Sequence, residues 1–149
     1  MTRAHVMAGL LILGLGFLPA LRGDLQQAKA EPNLEKRSKL ALENADRALK
    51  DARAAYARGD FKQTETLVGE VQDSVVLAED SLRETGKNPR KSPKWFKRAE
   101  IETRDLLRKM ESFREEMSVV DRPMLEKATA KIQQVHDDLL LGVMEGKPK

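Results

Sequence analysis

The chain has 149 residues, of which 34% are charged and only 4% aromatic, with a formal net charge of +3 and no cysteine. That length suits one domain, and the shortage of aromatic residues favours long helices over sheets. The lack of cysteine excludes disulfides, thiol catalysis, thiolate metal sites, covalently attached c-type haem and a lipid carried on cysteine, so packing alone must hold the domain together.

Arg3 precedes an uninterrupted apolar and glycine run from Val6 to Leu18. Pro19-Ala20 and then Ala28-Lys29-Ala30 follow it. A positive start, a short apolar centre and a small-residue exit are the order of a secretory signal. The run is shorter than the roughly 20 residues that span a bilayer. Residues 1–30 are therefore expected to be an export signal, cut after Ala20 or Ala30, or else a retained membrane anchor. The rest would be periplasmic or extracellular. Setting that segment aside removes Arg3, Arg22, Lys29 and Asp24 and leaves a nearly neutral body, so any basic character there is local.

The body, 31–149, reads as four helical segments. Asn33 is placed to cap the first, predicted over 34–58. Leu42, Ala45, Leu49, Ala52 and Tyr56 recur at spacings of three and four, widened by Ala41, Ala48 and Ala55. Such a stripe of small residues lets a neighbouring backbone come close. Gly59 ends the segment, and Asp60, with Gln63 three residues on, starts the next over 61–85 as a capping box would. Phe61, Thr64, Val68, Val71, Val75, Ala78 and Leu82 form its stripe.

Gly86 and Pro89 stop the second helix, and Ser92-Pro93 restart the pattern with serine as cap and proline at the first helical position. The third helix, 93–118, carries Phe96, Ala99, Thr103, Leu106, Met110, Phe113, Met117 and Val120 in register. Asp121-Arg122-Pro123 makes a turn, and Leu125, Ala128, Ile132, Val135 and Leu139 mark the fourth helix, 123–145. Matched lengths and short turns predict antiparallel neighbours. The fold expected is all-α, an up-down-up-down four-helix bundle made of two helical hairpins. The alternative is elongated hairpins that pair in a homodimer.

In such a bundle, both ends of the Gly86–Pro93 connection share a pole with the start of the first helix and the end of the fourth. Lys87, Arg90, Lys91, Lys94, Lys97 and Arg98 then gather there around Trp95, with no acid between Lys87 and Arg98. Lys36, Arg37, Lys39, Lys147 and Lys149 fall at the same end. Tryptophan bracketed by lysines suits an anionic lipid surface, an acidic protein or another anionic envelope component. Nucleic acid fits less well. A retained N-terminal segment would set this pole nearest the membrane.

Catalytic motifs are missing. There is no nucleophile elbow, phosphate-binding glycine loop or Glu-x-x-His pair, and the expectation is a non-enzymatic interaction module, monomeric or homodimeric. The competing reading is a haem- or metal-carrying exported bundle with His136 as ligand. The Ser92–Leu107 stretch resembles the third helix of the cytochrome b562 type. That family takes a methionine near the start of the first helix and a histidine near the end of the last; here the first helix has no methionine, and His136 supplies one axial ligand at most. No catalytic, metal or cofactor residue is assigned.

Overall fold

A computed structural model describes residues 23–146. They form five helices: α1 (Gly23–Ala30), α2 (Leu34–Ala57), α3 (Phe61–Glu84), α4 (Pro93–Glu116) and α5 (Pro123–Glu145). The four long helices have 23 or 24 residues, about 36 Å each at the usual rise. There is no strand among the described residues. The hairpins α2–α3 and α4–α5 pack on one another within one chain, so the four-helix bundle forms without a second copy.

The apolar stripes become the core. Ala41, Ala45, Ala52 and Ala55 of α2 are fully buried, as are Val71 and Val75 of α3, Phe113 of α4 and Ile132 of α5. The alanine face works as its residue size dictates: α2 and α3 make the most intimate contact in the molecule. One buried polar tie lies on that seam, where Asn44 Nδ2 donates to Glu70 Oε1 and to Ser74 Oγ, both at 2.9 Å.

The helix starts follow the sequence in part. Asn33 accepts from the Lys36 amide at 2.8 Å, and Asp60 accepts from Gln63 at 3.1 Å. The Asp60 amide is satisfied by the carbonyl of Ala55, so one half of the capping box forms. The Ser92 side chain makes no cap bond, and α4 starts on Pro93 alone. Two stripe positions leave the core. Helix α4 ends at Glu116 because Met117 turns extended; a tight turn from Ser118 to Asp121 then leaves Val120 86% exposed. Phe61, the first residue of α3, is 47% exposed and rests against Tyr56, with ring centroids 5.7 Å apart.

Helix directions alternate, but neighbours are not all antiparallel. Lys109 pairs with Asp46 and Arg53 with Glu116, so α2 and α4 run side by side in the same direction. Arg83 reaches Asp138 at 3.4 Å, which joins the ends of α3 and α5 likewise. Glu100 meets His136, as expected for antiparallel α4 and α5. The connection 85–92 therefore crosses the end of the bundle on its diagonal.

Helix α1 has no counterpart among the expected elements. It occupies the stretch read as the exit of a signal, with Ala30 as its last residue. Ala28 is fully buried, and Leu25 and Gln26 share a shallow groove with Thr66, Gly69 and Asp73 midway along α3. The first turn of α1 thus lies beside the middle of α3, not at the basic end. The apolar run 6–18 and Ala20 lie outside the described residues, as do Lys147 and Lys149.

Candidate functional site

The basic end is built by its loop. Gly86 takes the left-handed conformation after α3, at φ 66°, which glycine adopts without steric cost. Asn88 then organises the segment: its Oδ1 accepts from the amides of Arg90 at 2.9 Å and Lys91 at 3.2 Å, and its carbonyl accepts from Ser92 at 2.9 Å. Pro89 is among the most fully buried side chains and lines a small hollow with Phe96, Leu139 and Gly142. It plugs the end of the core from inside the loop.

Helix α5 closes onto the same loop. Gly146 ends it at φ 78°, and a Cβ there would lie 3.0 Å from both Arg90 Cβ and Asn88 Oδ1. Both the conformation and the close approach require glycine. Beside it, Glu79 is buried and bound by Arg83 at 2.6 Å. Burial pushes its carboxyl above the ordinary value of 4.5, against the pull of Arg83.

All seven residues expected at the pole come together there, but their charges are not equally available. Lys87 binds Glu35 at 2.6 Å and Arg98 binds Glu102 at 2.7 Å. The α2 cations are engaged too: Lys36 with Glu31, Arg37 with Glu84 and Lys39 with Glu43. The Glu31 carboxyl is held below its ordinary value, first by the Asn33 amide and then by Lys36. Arg90, Lys91, Lys94 and Lys97 are exposed and have no ion-pair partner among the described residues. Trp95 is half-buried against the core, and its ring carries Lys94 at 5.3 Å and Arg98 at 5.9 Å. Among the described residues of this end, the unneutralised charge is thus narrowed to four side chains on a loop and the first turns of one helix.

His136 stands on the α4–α5 seam with a carboxylate at each ring nitrogen: Glu100 at Nε2 and Asp137 at Nδ1, both at 3.1 Å. The histidine contact holds the Asp137 carboxyl below its ordinary range, helped by Gln133. Among the described residues no three His, Asp or Glu side chains are grouped to hold a metal ion. Open grooves also run between α2 and α4, floored by Leu42, Leu49 and Leu106 and rimmed by Asp46 and Lys109.

Sequence reasoning missed the scaffold under the cations: Asn88, Pro89 and Gly146. A turn-forming Asn-Pro and a helix-ending glycine were visible, but not that they meet. Comparison of the chain with protein-family models, curated proteins and solved structures returns no match.

Proposed function

We propose that this protein is an exported, non-enzymatic helical-bundle module whose basic end holds an anionic component of the cell envelope. The observation that carries the reading is the set of four cations, Arg90, Lys91, Lys94 and Lys97, without ion-pair partners among the described residues and displayed by a loop anchored through buried Pro89. Solvated charge runs are common on helices. Among the described residues, however, the neighbouring cations on the same end are matched to carboxylates and these four are not. A rigid display loses little entropy when it meets a partner. Export rests on the N-terminal pattern of Arg3, the apolar run 6–18 and the small residues after it. No helix among the described residues is long and apolar enough to cross a membrane.

Charge reversal of the four cations to glutamate tests the reading. Each cation near an anionic surface contributes about 1 kcal/mol, so the fourfold reversal is expected to weaken binding to anionic vesicles or polymer by at least about a hundredfold. Wild-type binding should also fall as salt rises. Binding that is indifferent to the reversal and to salt would remove the basic end from the function.

A further inference from the structure

We infer that the anionic partner is a lipid bilayer surface, and that the docking face runs from the basic end onto the outer flank of the α4–α5 seam. The inference rests on the reading above and adds an apolar component to it. Lys94, Lys97 and Ile101 step along the outer face of α4 at spacings of three and four. Leu140 and Met144 lie one turn apart on α5. The contact between Glu100 and His136 sets the levels of these antiparallel helices: moving toward the basic end, Lys97 comes level with Leu139, the neighbour of Leu140, and Lys94 with Gly142, about half a turn short of Met144.

Exposure on this flank is unusual for large apolar side chains in a core-forming hairpin. Met144 is 66% exposed, Ile101 45% and Leu140 39%. A soluble polyanion has no use for them. A bilayer interface does, since apolar side chains enter the acyl boundary while lysines meet the phosphates. Asp137 and Glu145 are the acids exposed nearby on α5, and Asp137 is engaged by Gln133 and His136. The other exposed apolar pair, Val119 and Val120, sits at the far end among charges of both signs, Arg114, Glu115, Glu116, Asp121 and Arg122, without the acid-free run of cations that borders Leu140 and Met144.

The test compares the full chain with Leu140→Asp/Met144→Asp. Binding is measured to phosphatidylglycerol vesicles, to neutral phosphatidylcholine vesicles and to inorganic polyphosphate. Both residues are already solvent-accessible, so the fold should persist, which far-UV circular dichroism checks. The double variant is expected to bind phosphatidylglycerol vesicles at least about tenfold more weakly than the wild type and to bind polyphosphate as the wild type does. Equal vesicle binding by variant and wild type overturns the lipid face. Wild-type binding to polyphosphate but not to vesicles overturns it while leaving the basic-end reading in place, and binding to neither removes both. A wild-type dimer in sedimentation that Met144→Asp dissociates would assign the flank to a second copy instead.

Discussion

The two hairpins solve the same packing problem with different residues. Between α2 and α3 the buried positions are mostly alanine, valine, serine and threonine, Ala45 and Val71 among them at zero exposure, with Leu42, Leu49, Leu67 and Leu82 as the larger members. Between α4 and α5 they are Phe96, Leu106, Met110 and Phe113 against Leu125, Ile132 and Leu139. Small side chains let backbones approach; large ones hold them apart and fill the gap. The first hairpin is accordingly the closer-knit and accommodates a polar tie from Asn44. The second takes a tyrosine from its neighbour: Tyr56 stacks edge-on against Phe113 at 5.8 Å and binds the Ser118 amide and Asp121, each at 2.9 Å. Residue volume, more than hydrophobicity, separates the two halves of one core.

That contrast can be broken by exchanging the two strategies. Phe113→Ala empties a fully buried position and should cost about 3–5 kcal/mol in denaturant unfolding, the largest effect expected here. Ala45→Leu overfills the tight seam and should cost about 1–3 kcal/mol. Should Ala45→Leu leave stability unchanged, the first hairpin is looser than its contacts indicate and the comparison fails. Smaller still is Gly146→Ala, at about 1–2 kcal/mol from the left-handed backbone and the crowding against Asn88 and Arg90. It should be accompanied by faster amide exchange in the 85–92 loop, and unaltered exchange would mean that α5 does not brace the loop.

The smallest effect lies in pH. The native carboxyl of Glu79 binds its proton more tightly than an ordinary glutamate. Stability is therefore greatest at low pH as far as this group is concerned, and declines as pH rises from 4.5 through the raised value. Glu31 and Asp137, whose carboxyls are lowered, act oppositely: their contribution is present above their ordinary values and is lost in acid. Glu79→Gln should remove the decline, so unfolding midpoints of variant and wild type should diverge in favour of glutamine above pH 4.5. A constant difference across that range would count against the burial argument.

Much of this architecture was legible in residue spacing. The long helices begin where expected and end within two residues of expectation, because glycine, proline and the caps Asn33 and Asp60 act locally. Lateral order was not legible. Stripes state which face is buried but not which neighbour buries it, so the parallel pairing of α2 with α4 had no signature. The eight-residue α1 (Gly23–Ala30) was too short and too mixed in composition to show a period. Charge was visible but neutralisation was not: Lys87 and Glu35, or Arg37 and Glu84, are far apart in sequence and meet only when α2 and α3 fold back. Val120 continued a spacing rule past the point where Met117 had already left the helix.

The diagonal course of the connection between the hairpins bears on how readily two copies could exchange them. Many helical bundles can trade hairpins between copies, because a linker that skirts the edge straightens at little cost. Here straightening would draw Pro89 out from beneath Phe96 and Leu139 and undo the turn around Asn88. Domain swapping is therefore opposed at the hinge itself.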